Sequence, residues 1–355
     1  MNGNKKVIVV GGGIMGASAV WHLAKAGARV MLIERAPGCA SSATASSFGW
    51  VGASASTPAD DPLAYAERLL ALDEFARLGR DLGPLPVAAR GALLWGATDE
   101  ETAQMVAAHR AAGTRMACLS RAQLAAKDAM LAALPALPAL AAWAPDDFAV
   151  EPAALASQLI AAAQAAGAGV RHGQVDAITT AGGRITGVLV DGQALLADAV
   201  VLANGHGARQ LASGIGVDLA LHASPAVLLR FAAPAPQMRH LLCVQDLELR
   251  PAPGGTLLSA ADYPPEGEAG LAALAARTAA AIADLFQLPA PPAILSASAA
   301  QRPMTADGAP LCGQLGQFDG LYGLVAHPGV ILAPRLGRLC AQAVLGVDGR
   351  GGPSR

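Results

Sequence analysis

Charge is scarce in this chain of 355 residues: only 15% are Asp, Glu, Lys or Arg, against 53% hydrophobic. A chain this apolar can bury a large core, which excludes disorder over most of its length. The net charge of −2 removes the electrostatic case for nucleic acid or an anionic membrane. Lysine is rare, 4 among 25 basic residues, a bias from which no function is read. The five cysteines, Cys39, Cys118, Cys243, Cys312 and Cys340, are scattered and odd in number. Without a CxxC spacing they argue against a disulfide framework or a zinc site and suit a reducing compartment. The seven histidines show no HxxxH or HExxH pair, so no metal is expected. No uninterrupted apolar run reaches the ~20 residues suited to a transmembrane helix. The apolar stretch from Val7 carries three consecutive glycines, unlike a signal peptide. A soluble, cytoplasmic protein, at most peripheral to the inner membrane, is the expectation. No repeat of fixed period is visible.

What is present begins at residue 6. Val7-Ile8-Val9-Val10 is a β-branched run of the kind buried on both faces of a parallel sheet. Gly11-Gly12-Gly13-Ile14-Met15-Gly16 satisfies GxGxxG, and good helix formers follow from Ala17 to Lys25. Glycine there permits a tight turn, main-chain approach to a pyrophosphate and close helix–strand packing. The phosphates would sit on the positive N-terminus of a helix starting near Ile14. A second strand, Arg29 to Ile33, runs to Glu34, 18 residues beyond Gly16 and placed to accept hydrogen bonds from an adenosine ribose. Glu34 opposes a 2′-phosphate, although Arg35 beside it weakens that exclusion. The motif predicts a bound dinucleotide but leaves NAD and FAD open.

Further along, small residues over 36–57 predict an irregular functional loop. Helices are expected over 62–80, 101–113, 120–127, from Glu151-Pro152 to about Ala166, and over 268–287. Proline and alanine crowd 134–145, which reads as a connection. Strands are expected at 91–96, Gly169–Ile178, Arg184–Val190 and Ala199–Ala203. Residues 223–263 suggest antiparallel strands with a hairpin at Pro253-Gly254-Gly255. The last helix is expected near Pro334 to Leu345, and residues after Gly349 read as a frayed tail.

Three separated segments resemble the D-amino-acid oxidase-like FAD-dependent oxidoreductases, the group of glycine oxidase, sarcosine oxidase and D-amino-acid dehydrogenase. They are GGGIMGASAVWHLAKAGARVMLIER with the loop SSATASSFGW, then ADAVVLANG at 197–205, then QRPMTADGAPLCG at 301–313 with LYGLVAHPGVILAP at 321–334. The resemblance spans most of the chain. It implies an α/β fold: a Rossmann-like FAD-binding domain of the glutathione-reductase type, with a second, α+β substrate domain on an antiparallel sheet. The implied boundaries are 1–85, 146–222 and 300–355 for the FAD domain, and 86–145 and 223–299 for the substrate domain. FAD is expected to be noncovalent, since no counterpart of a flavin-tethering cysteine is found and Cys312 lies too far past Arg302.

The resemblance also implies site residues. Ser42, Ala43, Ser47, Phe48 and Gly49 would follow the flavin and pyrophosphate, Val175 would meet the adenine through its main chain, and Gly205 would end the returning strand. His327, Gly329, Val330, Ile331 and Leu332 would lie against the flavin pyrimidine edge, with a helix from Pro334 aiming its positive end at the ring. Arg302 would grip a substrate carboxylate, as a planar guanidinium can with two parallel hydrogen bonds. Tyr263 is a second substrate candidate, Arg230 and Arg250 weaker ones, and His327 a weak catalytic candidate. No obligatory base can be named. Asp307 is expected to hold a turn. The sequence departs from the family pattern at Asn204 and His206, where small residues are usual, and in lacking a glycine just before Ser41-Ser42. The expected activity is oxidation of a small carboxylate-bearing amine, an amino acid or N-substituted glycine, by hydride transfer from the α-carbon to flavin N5. The resulting imine would hydrolyse to a 2-oxo acid. Oxygen, a quinone or a partner protein could take the electrons. Alternatives are a 2-hydroxy-acid dehydrogenase, a flavin-binding subunit of a larger complex and a plain NAD-binding protein.

Overall fold

A parallel sheet and a larger mixed sheet divide the chain between them. The computed structural model describes residues 5–127, 131, 137–234, 238–244, 247–316 and 318–347. Along the chain come β1 (Lys6–Val10), α1 (Ile14–Lys25), β2 (Arg29–Glu34), β3 (Trp50–Val51), α2 (Pro62–Leu82) and β4 (Val87–Trp95). Then follow α3 (Asp99–Ala111), β5 (Ala117–Ser120), α4 (Arg121–Lys127), β6 (Leu140–Val150) and α5 (Pro152–Ala165). The strands β7 (Gly169–His172), β8 (Val175–Ala181), β9 (Arg184–Val190), β10 (Gln193–Leu196) and β11 (Ala199–Leu202) precede α6 (Ala208–Ser213). Next are β12 (Leu221–Ala232), β13 (Leu241–Val244), β14 (Leu247–Ala252), β15 (Thr256–Asp262) and α7 (Leu271–Phe286). The chain closes with β16 (Ile294–Thr305), β17 (Leu311–Gln314), β18 (Leu321–Val325) and α8 (Gly329–Leu345).

The first sheet has the order β17-β18-β11-β1-β2-β7, parallel except for β17. Its central strand shows why the β-branched run was needed. Val7 and Val9 pack into the cluster with α1, α5 and α8, while Ile8 and Val10 face the cluster of the small antiparallel sheet β8-β9-β10. Both faces are therefore covered, as parallel sheets require. Ser18, buried in α1, donates to the carbonyl of Ala333 in α8 at 2.7 Å, so this close helix crossing leaves no hydroxyl unpaired. Ion pairs Glu67–Arg335 (2.7 Å) and Glu74–Arg338 clamp α2 on α8.

The second sheet has the order β16-β12-β15-β14-β13-β4-β6-β3, with β5 paired to β6. The hairpin between β14 and β15 turns at Pro253-Gly254-Gly255 as its residues predict. Strands β6, β12 and β16 run unbroken through 145/146, 222/223 and 299/300, the junctions suggested by resemblance.

Several elements differ from the sequence reading. Residues 140–145 are the start of β6, not a connection; residues 134–136 lie outside the described residues, as does the tail after Gly349. Alanine has poor strand propensity, but β6 is paired on both sides, and Ala141, Ala142 and Ala144 are fully buried there. The strand expected over 169–178 is two strands, parted at Gly173, whose N–H donates to the carbonyl of Glu34. The loop over 36–57 contains β3, which pairs with β6. Residues Gly267–Phe286 are long and apolar enough to cross a membrane by length and composition. Here Glu268, Arg277 and Asp284 interrupt the stretch, and Ala275, Ala279, Ile282 and Phe286 pack into the core of the second sheet.

The last helix starts at Gly329, five residues before the expected Pro334, which sits inside it. Proline in a helix interior costs about 3 kcal/mol. Val330, Ile331, Leu332 and Ala333 are all buried in the core cluster, and packing of the first three at about 1.5–3 kcal/mol each outweighs it.

Candidate cofactor and substrate cavity

One cavity of about 1450 Å³ runs from the glycine turn after β1 to the face of the second sheet. Ordinary small-ligand pockets measure roughly 300–1,000 Å³, so this one has room for a large cofactor and a second small molecule.

The turn at its far end is made by glycine for steric reasons. Gly11 has φ of +102°, and a Cβ there would lie 2.7 Å from the Cα of Asn204. A Cβ on Gly16 would lie 1.9 Å from the Gly11 carbonyl oxygen. Helix α1 begins at Ile14 with no cap from its own N-cap residue, Gly13, and no acidic residue in its first turn, so its positive end stays open to an anion past the Ile14 N–H. Thr44 Oγ1 accepts from the Ile14 N–H at 3.0 Å and joins the turn to the small-residue loop.

Glu34 lines this end of the cavity, but its carboxylate already braces the turn. Oε2 accepts from the Gly12 N–H at 2.6 Å and Oε1 from Ala36 at 2.9 Å. Each oxygen keeps a second lone pair for a ribose hydroxyl. Arg35, Val175 and Gly205 also line the cavity, and Val175 shares it with Gln174 and Asp176. Gly11, Gly13, Ile14 and Met15 are on its wall; Gly16 stands behind them, against the carbonyl of Gly11.

Ser42, Ala43, Ser47, Phe48 and Gly49 all reach the cavity. The loop is fixed from below by buried charges. Arg250 is fully buried and donates through Nε to the carbonyl of Phe48, and through Nη1 to Glu151 Oε1 at 2.5 Å. The substrate role suggested for Arg250 is therefore replaced by a structural one. Arg230 is committed to Thr256 Oγ1 at 2.8 Å and lies off the cavity wall. Buried Asp147 accepts from Trp50 Nε1 at 2.7 Å, Ser54 Oγ at 2.5 Å and Ser54 N–H at 3.2 Å. Burial pushes its pKa up, and these hydrogen bonds oppose the rise.

The opposite wall is the start of α8. His327, Gly329, Val330 and Ile331 line it, whereas Leu332 turns into the core. The helix has no side-chain cap, and because it begins at Gly329 its free N–H groups open beside His327 itself. His327 is exposed to the cavity but has protein on its other sides, enough to desolvate its charged form. That burial, and after it the guanidiniums of Arg302 and Arg68, hold its pKa down at about 4. The imidazole is neutral at pH 7.

Arg302 reaches the same space from β16. Its Nη2 donates to Ser224 Oγ at 3.0 Å and the Pro225 carbonyl at 3.3 Å, and Nε points to the Ser224 carbonyl at 3.4 Å. Among the described residues Nη1 has no partner. Tyr263 does not join it: its hydroxyl donates to Glu268 Oε1 at 3.2 Å and its ring packs on the second core, off the cavity wall. It follows Asp262 by one position, and successive residues of a strand face opposite ways. Asp307 Oδ1 accepts from the Ala309 N–H at 3.0 Å, the turn expected of it. Cys312 also lies off the cavity wall; its thiol contacts the carbonyl of Leu336, and burial pushes its pKa up to about 11.

Sequence reasoning missed Arg68, Glu248 and Asp262, which all line the cavity. Arg68 is one arginine on an amphipathic helix and carries no local signal. Burial lowers its pKa, and Asp147 and Asp61 counter that. The two acids stand alone in strands that are far apart in the chain from every motif.

The residues fit a flavin dinucleotide. Asn204, which lines the cavity, has a buried Oδ1 with no hydrogen-bond partner among the described residues, an acceptor waiting for a donor. The glycine cradle excludes side chains where a pyrophosphate would lie, and two helix N-termini without an acidic residue in their first turns open on one cavity.

Comparison with known proteins agrees with this geometry. The model of the FAD dependent oxidoreductase family, DAO, matches residues 6–343. Glycine oxidase of Geobacillus kaustophilus (strain HTA426) is 29% identical over 360 residues, covering 95% of this chain and 92% of the relative. Among solved structures, glycine oxidase from Geobacillus kaustophilus superimposes with a TM-score of 0.81 at 23% identity, over 98% of this chain and 96% of that one. Iminodiacetate oxidase from Chelativorans sp. BNC1 gives 0.80 at 21% identity, over 98% and 97%. L-amino acid deaminase from Proteus myxofaciens gives 0.83 at 16%, over 97% and 91%. With its parallel sheet, glycine cradle and matched length, the chain belongs to the FAD dependent oxidoreductase (DAO) family and is an FAD-dependent oxidoreductase.

Proposed function

We propose that the chain oxidises a small carboxylate-bearing amine, an amino acid or an N-substituted glycine. The observation that carries this reading is Arg302, held by Ser224 and Pro225 with Nη1 uncommitted, in the cavity shared with His327 and the start of α8. A guanidinium fixed in this way binds a carboxylate in one orientation, so catalysis is largely positioning. The similar proteins named above are a glycine oxidase, an iminodiacetate oxidase and an L-amino acid deaminase, all named for such compounds.

Bound FAD supplies the acceptor for the hydride that leaves the substrate α-carbon. The glycine turn, Glu34, Arg35, the loop from Ser42 to Gly49, Val175 and Gly205 are assigned to hold the cofactor, and α8 to place its positive end at the ring. Free N–H groups at that end would favour negative charge on the group bound there. Neutral His327 can share a hydrogen bond but carries no charge to repel a cationic amine. The amine must lose its proton before the hydride leaves; the imine then takes up water to give a 2-oxo acid and the free amine. The parallel sheet and its flanks are assigned to the cofactor, and the mixed sheet to the substrate.

Anaerobic mixing of the yellow holoenzyme with glycine, sarcosine, iminodiacetate and both enantiomers of common amino acids tests this. Bleaching of the band near ~450 nm by one of these groups, and not by the matching 2-hydroxy acids, is expected. Bleaching by the 2-hydroxy acids alone would overturn it.

A further inference from the structure

The floor of the proposed substrate site is a row of small residues with charge at its two ends. The strand register sets Leu228 opposite Ala260, Ala260 opposite Glu248, and Ala226 opposite both Ala300 and Asp262. Side chains alternate along a strand, so these residues share one face with Arg302, and all of them line the cavity. Where most of this floor is alanine, Arg302 stands at one side and Asp262 with Glu248 at the other.

The two acids are diagonal neighbours, roughly 7–8 Å apart at Cα. Burial, and after it the charge of Asp262, pushes the Glu248 pKa up. Among the described residues neither carboxylate makes an ion pair or a hydrogen bond. Arg230 and Arg250, the basic residues on β12 and β14, are turned to Thr256 and to Glu151. Glu248 is half-buried and Asp262 exposed; two like charges sharing one cavity wall disfavour each other, and a cation between them relieves both. Asp262 lies two residues along and two strands across from Arg302, roughly 12 Å at Cα.

We propose that Glu248 and Asp262 form a cation subsite that selects substrates carrying a second, distal amine or guanidine. The carboxylate lies on Arg302, so the substrate class is the dibasic amino acid or its N-substituted counterpart. The assignment rests on the reading of Arg302 as the carboxylate anchor. The alanines leave the length between the two ends open for an aliphatic side chain.

Two arms test the subsite and the reaction separately. In the first, 6-aminohexanoate and hexanoate are titrated into the holoenzyme and followed by perturbation of the flavin spectrum. Neither has an α-amine, so binding is read without turnover. The aminated probe is expected to bind about tenfold more tightly, as for a charge pair in a partly wet site. That ratio is expected to fall towards one in Glu248→Gln and Asp262→Asn, each checked for an intact flavin spectrum. Equal binding of the two probes to the wild-type protein overturns the subsite, and so does a ratio that both variants retain. In the second arm, both enantiomers of lysine and norleucine are used to bleach the flavin anaerobically, with lysine expected to be favoured by a similar factor. If neither bleaches it, and glycine, sarcosine and iminodiacetate do not either, while the binding ratio persists, amine oxidation falls and the subsite stands. If norleucine and lysine serve equally and the binding ratio is one, the oxidation stands and the subsite falls.

Discussion

The glycine turn after β1 and the alanine floor formed by β12 to β16 meet across one cavity, yet they are built in opposite ways. The turn works through the main chain: three glycines, an uncapped helix and a strand end, all within residues 6–34. The floor works through side chains, and its charged members come from β14, β15 and β16, separated in sequence by tens of residues. A main-chain site tolerates almost no change in its few glycines, because a Cβ meets backbone that cannot move. A side-chain site can exchange its charges without loss of fold. The glycine end therefore carries the mark of the family, and the sheet end is where charges can differ without loss of fold.

The largest effect is expected at the turn. Gly16→Val places side-chain atoms where even a Cβ would lie 1.9 Å from the Gly11 carbonyl oxygen. Loss of FAD from the purified protein, read as loss of the ~450 nm band with any folded remainder visible by circular dichroism, is the expected result. A fully yellow variant would break the contrast between the two walls.

Arg302→Met tests the other side. Hydrogen bonds to a charged group contribute about 1.5–3 kcal/mol, so KM for a carboxylate-bearing amine should rise roughly ten- to hundredfold. FAD should stay bound, since Arg302 hangs from β16 and not from the cofactor loops. An unchanged KM would remove Arg302 from the site.

The smallest effect concerns His327, which stands where the walls meet. Its folded pKa is about 4, below the ordinary value of 6.5. The folded form thus favours the neutral imidazole, and the stability linked to it is complete above pH 6.5. It is lost as pH falls from 6.5 towards 4, because the unfolded chain takes up the proton first. His22 in α1 is held down to about 4 as well, chiefly by burial, so the wild-type slope has two sources. Urea titrations of the cofactor-free protein at several pH values should show a shallower loss for His327→Gln than for wild type. Equal slopes would separate His327 from the two guanidiniums.

Much of the fold was legible because its signals are local. The valine run, the glycine turn, Glu34 and the Pro253-Gly254-Gly255 hairpin each lie within a few residues, and sterics allow them few conformations. Errors arose where packing overruled propensity. Pro334 read as the first turn of a helix, but the buried side chains from Val330 to Ala333 carried the helix back to Gly329. The alanines of β6 read as a connection until strands on both sides paired them. Arg250 and Tyr263 were legible as residue types only; which way each side chain turns was fixed by neighbours distant in sequence.

By itself, the sequence determined the glycine turn after β1 and predicted a dinucleotide there, because glycine alone fits that turn and its spacing to Glu34 is short-range geometry. Its resemblance to a family extended this to FAD. The tertiary structure alone decided which charges face the cavity beyond the glycine turn. Strand register places Arg302, Asp262 and Glu248 on one face, and no local rule relates residues that meet only when the sheet has formed.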